Sequence, residues 1–226
     1  MDIGDLTLAC KWKAVLFDMD GTITDTEKIY NYFWNNCAKA LGMYDFTYQD
    51  SLDLRSLNHD DSKKLLEERH GQTVDYDKLH KTVGNCVRKY LQENPVPLKP
   101  GIMDILNECH RVGIHPVVVT ATNLAAATER LKSAGLFEHF DDVISAHEAK
   151  RGKPYPDPYL MAAERLSLMP SLCLAVEDSP NGCMSAINAG MDTIMVPDLT
   201  EPDAALKKRL FAVAKSLADI IPIISG

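Results

Sequence analysis

Short apolar runs alternate with amphipathic ones along this chain. Residues 14–17 are apolar without a break and end at Asp18. A second run, 116–119, ends at Thr120; its proline is tolerated because it stands at the first strand position. A third, 172–176, ends at Glu177 and Asp178, and a fourth covers 193–196. Runs apolar on both faces predict strands of a parallel sheet covered on each side by helices.

Helical spacing fills the gaps between them. Ile102, Ile105, Leu106 and Cys109 repeat at i, i+3, i+4, i+7, and Gly113 supplies a stop. Leu124, Ala127, Leu131 and Ala134 form a second stripe, stopped by Gly135. Tyr159, Ala162, Ala163 and Leu166 form a third, and Cys183, Ala186, Ile187 and Gly190 a fourth. Leu206, Leu210, Val213 and Leu217 predict a last helix. Between 25 and 95 the alternation stops. Ile29, Phe33, Cys37 and Ala40 share one helical face, and Tyr76, Leu79, Val83, Val87 and Tyr90 another, with no strand pattern between. A proline-rich stretch, 94–101, leads back. The reading is an α/β fold: a doubly wound, Rossmann-like parallel-sheet core of 1–24 and 96–226, with an all-helical insertion at 25–95.

Composition narrows the function classes. Lys and Arg total 24 against 32 Asp and Glu, a formal net charge of -8. Such a chain gains little from counterion release, so no nucleic-acid partner is expected. None of the six cysteines forms a C-x-x-C pair and no His cluster completes a zinc set, which suits small buried thiols in a reducing compartment. Residues 1–13 lack a basic start and a long apolar run, so no signal peptide is expected. No stretch approaches the roughly 20 apolar residues of a membrane span. The expectation is a cytoplasmic protein with no membrane partner.

Three of the four strands end in carboxyl or hydroxyl groups: Asp18 and Asp20, Thr120, and Glu177 with Asp178. In open α/β sheets, ligands bind beyond the carboxyl ends of strands, so these groups converge. Each alone also reads as a turn former or a cap. Two close carboxylates repel and call for a cation or a shared proton. Four acidic residues without His or Cys suit hard Mg²⁺. Thr120 and the backbone of Ala121, Thr122 and Asn123 lie where a helix begins, either as an N-cap or as an anion site. Lys153 sits in a proline-rich loop, as surface charge or as the balance to the carboxylates.

Taken in order, these segments resemble the haloacid dehalogenase-like superfamily. Asp18-Met-Asp-Gly-Thr-Ile-Thr-Asp-Thr-Glu27 resembles its first motif, Thr120 its second, Lys153 within Gly-Lys-Pro-x-Pro-Asp its third, and Val176-Glu-Asp-Ser179 its fourth. The helical insertion after the first motif looks like the cap of the subgroup with phosphoglycolate phosphatases and β-phosphoglucomutases. The resemblance implies a Mg²⁺-dependent phosphatase of a small phosphate ester. Asp18 would be the nucleophile and form an aspartyl-phosphate. Asp20 would be general acid and then base, with its backbone carbonyl on the metal and its side chain free. Glu177 and Asp178 would complete the metal site. Thr120, the Ala121 amide and Lys153 would hold the phosphoryl group.

The family's dehalogenases lack an acid at the place of Asp20, so its presence implies phosphoryl transfer. Its phosphonatases use a cap lysine, but Lys28, Lys39, Lys63 and Lys64 all fit solvated faces. The alternative is a β-phosphoglucomutase-like mutase; its cap arginine is matched by His59 and its histidine after the first motif by Tyr30, departures that favour hydrolysis. A non-catalytic phosphate-binding module should lack one of Asp18, Asp20, Lys153 or Asp178, and all are present. Candidate substrate contacts are Tyr30, Trp34, Arg55, His59 and Asn123. Hinges are expected at 24–26 and 95–99.

Overall fold

In the computed structural model, which describes residues 10–226, the chain from β1 onward alternates as its apolar pattern requires. The reading of residues 1–9 as free of a leader lies outside the described residues. Six parallel strands form one sheet in the order β3-β2-β1-β4-β5-β6. They are β1 (Ala14–Phe17), β2 (His115–Thr120), β3 (Asp142–Ser145), β4 (Cys173–Glu177), β5 (Asp192–Met195) and β6 (Ala212–Val213). Strand alternation sends successive residues to opposite faces. Val15, Phe17, Val118, Leu174 and Val176 pack into one core, with α5 (Ile102–Val112), α6 (Leu124–Ser133) and α10 (Ile221–Ser225). Ala14, Leu16, Val117, Val119 and Ala175 pack into the other, against α7 (Asp157–Arg165) and α8 (Pro180–Asn188). Both faces are dry, which is why β1 reads as a continuous apolar run. Each buried Leu or Phe there contributes roughly 1.5–3 kcal/mol.

Two strands and one helix depart from the sequence reading. β3 has only two apolar residues, Val143 and Ile144, too few to register as a run. The last helix expected through Leu206, Leu210, Val213 and Leu217 does not form. That stretch is a one-turn helix α9 (Ala204–Lys207), then β6, then a 3-10 turn. The open edge of β5 decides it: Phe211 N–H donates to Thr193 O at 2.9 Å and Ala214 N–H to Met195 O at 2.8 Å. Backbone groups at a sheet edge take partners where they can.

Between β1 and α5 lie α1 (Glu27–Ala40), α2 (Tyr48–Asp53), α3 (His59–His70) and α4 (Tyr76–Glu93). Side chains of Thr47, Asn58 and Asp75 cap the second, third and fourth by accepting backbone N–H bonds. These helices enclose their own core, including Cys37, Leu66, Leu79, Val83 and Val87. The two connecting segments pair with each other. Asp25 N–H donates to Pro97 O at 2.9 Å, and Lys99 N–H to Ile23 O at 3.0 Å. The described cysteines are all unpaired thiols. No helix among the described residues is long and apolar enough to cross a membrane.

Candidate active site

The site grows from the carboxyl end of β1. Asp18 continues the ladder by donating its N–H to Val176 O at 2.9 Å, which fixes its side chain beside β4. The chain then turns at Gly21, where φ is +91° and an added Cβ would lie 2.5 Å from Asp178 Oδ2. Only glycine meets both demands. Lys153, fully buried, reaches in from the loop before α7. Its three donors are all used: Asp18 Oδ1 at 2.5 Å, Glu177 Oε1 at 2.6 Å and Val119 O at 3.0 Å. Tyr159 on α7 donates its hydroxyl to the same Glu177 oxygen at 2.6 Å.

Asp18, Glu177 and Asp178 each bring a carboxylate oxygen within 4.8 Å of the others. Burial pushes the Asp18 carboxyl well above the usual range against the pull of Lys153, and Glu177 and Asp178 push it the same way. Burial does the same to Asp178, with Glu27 adding to it and Arg55 opposing. Burial works against the charge on Lys153, but Asp18 and Glu177 outweigh it and hold that ammonium above the ordinary lysine range. Two buried oxygens, Glu177 Oε2 and Asp178 Oδ1, accept nothing. Orphaned carboxylate oxygens in a dry pocket are costly unless something cationic joins them. The donor set is hard oxygen throughout, so the residues present fit Mg²⁺. Gly182, at the start of α8, closes the pocket; an added Cβ would sit 2.0 Å from Glu177 Oε2.

Asp20 faces the other way, into the cleft, where hydrogen bonds hold its side chain. Oδ1 accepts from Thr26 at 2.5 Å and is in contact with the Arg130 guanidinium; Oδ2 accepts from Thr122 at 2.9 Å. Thr120 ends β2, and its Oγ1 accepts the Thr122 N–H at 3.0 Å. The N-cap of α6 is Asn123, which accepts the Ala126 N–H, so Thr120 is not that cap. The turn leaves Ala121, Thr122 and Asn123 on the wall of the cleft.

That cleft has a volume of about 1350 Å³ and lies between the sheet ends and the helical unit. Tyr30 lines it, and its hydroxyl accepts from Arg130 at 2.9 Å. Trp34 also lines it but stacks between Phe46 and Tyr76, with centroids 6.0 and 6.2 Å away, as part of the helical core. His59 stands half exposed at the start of α3, paired with Asp77 at 3.0 Å. Arg55 is buried yet on the lining of the cleft, and it donates to Asp178 Oδ2 at 3.1 Å and to Thr200 Oγ1 at 2.5 Å. Beside it Asn181 donates to Arg55 O at 2.9 Å, and the Ser56 and Ser179 hydroxyls are 3.0 Å apart. These contacts fasten the turn between α2 and α3 to the loop after β4. Lys28 and Lys64 are largely exposed.

Residues 12–190 match the hydrolase family described as haloacid dehalogenase-like hydrolase. The chain belongs to that family. It is 32% identical over 190 residues to the fructose-1-phosphate phosphatase YqaB of Escherichia coli (strain K12), covering 82% of this chain and 97% of that protein. It is 30% identical to hexitol phosphatase A of the same organism, covering 86% and 90%. The crystal structure of CbbY from Rhodobacter sphaeroides in complex with phosphate superposes with a TM-score of 0.74 at 26% identity, covering 92% and 96%. A β-phosphoglucomutase from Clostridium difficile shares the fold, with a TM-score of 0.77 at 22% identity and 94% and 97% coverage. With such relatives this haloacid dehalogenase-like hydrolase is a phosphoric monoester hydrolase.

Three residues of the hydrolase's site had no role in the sequence reading. Arg130 falls three residues after Ala127 on the buried stripe of α6, a charge where an apolar residue belongs. That misplacement was its signal. Glu27, at the end of the first motif, is buried and lines the cleft. Tyr159 sits on a core stripe, and nothing in the spacing distinguishes its hydroxyl from a Phe edge.

Proposed function

We propose that this hydrolase is a Mg²⁺-dependent phosphatase of small phosphate esters, sugar phosphates foremost, acting through an aspartyl-phosphate at Asp18. The observation that carries the reading is the division between Asp18 and Asp20. Asp18 is buried against Lys153, while Asp20, two residues on, faces the cleft. One carboxylate is placed to attack and the other to move protons.

In the first displacement an Asp18 oxygen bonds to phosphorus as the ester P–O bond breaks, and Asp20 gives its proton to the leaving oxygen. In the second, Asp20 takes a proton from water, whose oxygen bonds to phosphorus and frees phosphate and Asp18. Thr120 and the Ala121 amide hold the phosphoryl oxygens, and Lys153 joins them with the donor released from Asp18 Oδ1 as that carboxylate attacks. The carboxylates of Asp18, Glu177 and Asp178 and the Asp20 carbonyl would hold the ion, and the other Glu177 oxygen orients Lys153. Mg²⁺ bound there offsets the repulsion between the phosphate dianion and an attacking carboxylate. The unit at 25–95 acts as a cap that admits substrate and then excludes water, turning on the paired segments at 24–26 and 95–99. The names of two relatives, a fructose-1-phosphate phosphatase and a hexitol phosphatase, support polyol and sugar phosphates.

The mutase alternative is weaker because the position matched to the cap arginine holds His59, which lies against Asp77. The test is phosphate release with Mg²⁺ across sugar, polyol and nucleoside phosphates, with β-glucose 1-phosphate also assayed for glucose 6-phosphate. Free phosphate from the sugar and polyol group is expected. Isomerised sugar phosphate with little free phosphate would make the protein a mutase.

A further inference from the structure

Tyr159 is a phenol where a phenylalanine would pack. It is fully buried on α7, in the core that holds Leu16, Val117, Val119 and Ala175. A hydroxyl carried into such a place costs free energy unless it is paired. The one hydrogen bond of that hydroxyl among the described residues runs to Glu177 Oε1, at 2.6 Å. The same oxygen takes the Lys153 ammonium, also at 2.6 Å. A carboxylate oxygen offers about two lone-pair directions, so these two donors fill Oε1. Oε2 of the same carboxylate is buried and accepts nothing. The two oxygens of Glu177 are therefore unequal. One is saturated by protein donors, and the other is left for the cation that Asp18 and Asp178 also call for.

This inequality bears on which ion fits. Ca²⁺ gathers many oxygens in a flexible array and readily takes both oxygens of one carboxylate. Mg²⁺ is smaller and keeps to a near-ideal octahedron, which the narrow bite of a two-oxygen carboxylate distorts. A carboxylate whose second oxygen is filled offers only the first. We propose that Tyr159 is a positioning residue for the cation: it keeps Glu177 a one-oxygen ligand and so favours Mg²⁺ over Ca²⁺. Lys153 alone does not secure this, because its ammonium is shared with Asp18 Oδ1 and Val119 O and turns toward the phosphoryl group during reaction. The phenol has no other partner to serve. The inference rests on the metal site proposed above and adds the ion it selects.

The experiment reads binding without turnover. The melting temperature of metal-stripped protein, recorded against MgCl₂ and against CaCl₂, gives an apparent dissociation constant for each ion. It is measured for the wild type and for Tyr159→Phe, which keeps the ring and removes only the hydroxyl. Loss of a hydrogen bond to a metal ligand costs about 10–100-fold in metal affinity, so the Mg²⁺ constant should rise by about this amount. The Ca²⁺ constant should hold or fall, because Oε1 is opened to that ion. A hydroxyl with a merely structural role would shift both constants alike or neither. The wild type should bind Mg²⁺ more tightly than Ca²⁺, a result that does not depend on the folding of the variant. A wild type that prefers Ca²⁺, or an unchanged ratio of the two constants in a folded Tyr159→Phe, overturns the proposal. A wild type that binds neither ion overturns the metal site itself, and the proposal with it.

Discussion

Lys153 Nζ and Glu177 Oε1 lie 2.6 Å apart, and neither side chain is exposed to solvent. The pair joins the third and fourth motifs, 24 residues apart in sequence, directly beneath Asp18. Breaking one member of a buried pair strands the other, at a cost of about 3–5 kcal/mol. Glu177→Gln keeps the shape and removes the charge. It should lower the melting temperature by roughly 6–20 °C, at ~2–4 °C per kcal/mol for a domain of this size. Calorimetry of the variant checks this, and an unchanged melting temperature would show that the pair contributes little.

Asp20→Asn leaves a side chain that neither donates nor takes the needed proton. Both displacements should slow, with kcat down by about 10²–10⁴-fold on a sugar phosphate. The loss should be smaller on an aryl phosphate, whose leaving oxygen needs no proton. Equal losses on both esters would remove Asp20 from the acid role.

Gly182 borders the pocket so closely that a Cβ would meet Glu177 Oε2 at 2.0 Å and both other atoms of that carboxylate within 2.2 Å. Gly182→Ala must push Glu177 off Lys153 or shift α8. Overpacking of this kind costs about 1–3 kcal/mol. Chemical denaturation should show that loss together with a fall in kcat. Full activity and stability would mean that Glu177 has slack the structure does not display.

The pH dependence of stability has a definite sign. Burial outweighs the pull of Arg55 and, with repulsion from Asp20 and Asp18, raises the Glu27 carboxyl from 4.5 to about 8. Between those values the folded protein holds a proton that the unfolded chain has released. Stability therefore falls as pH rises through that window. Asp18 and Asp178, also raised, add to the same trend. Asp50 works oppositely: burial raises it, but bonds from Thr47, Arg69 and His70 win and lower it to about 2. Its contribution is present above the ordinary aspartate range and lost as pH falls toward 2. With metal chelated, the melting temperature should decline from about pH 5 to pH 8, and Glu27→Gln should flatten the slope. Added Mg²⁺ should raise the melting temperature, more at pH 8 than at pH 5, because its ligands must be deprotonated. A profile rising through this range would contradict the assignment.

The sheet and the motif residues were legible because they are local. A run such as 14–17 is apolar on both faces, and the polar residue that follows it stands at a strand end. What failed was non-local. Val213 fits a helical stripe with Leu206 and Leu210, yet its neighbours pair with β5, and no spacing reports an open sheet edge. Arg55 lines the cleft as a substrate contact would, but its bond to Asp178, 123 residues away, could not be read from the insertion. Nothing in the first motif announces that Asp20 meets Arg130, 110 residues later.

The central claim is that Asp18 carries the phosphoryl group between two displacements. Rapid acid quench of the enzyme turning over a sugar phosphate with Mg²⁺, followed by peptide mass spectrometry, measures it directly. The account predicts a phosphoryl group on the peptide containing Asp18, lost on hydroxylamine treatment and absent in Asp18→Asn, which should not turn over. Steady turnover by Asp18→Asn, or a phosphoryl group on another residue, would contradict it.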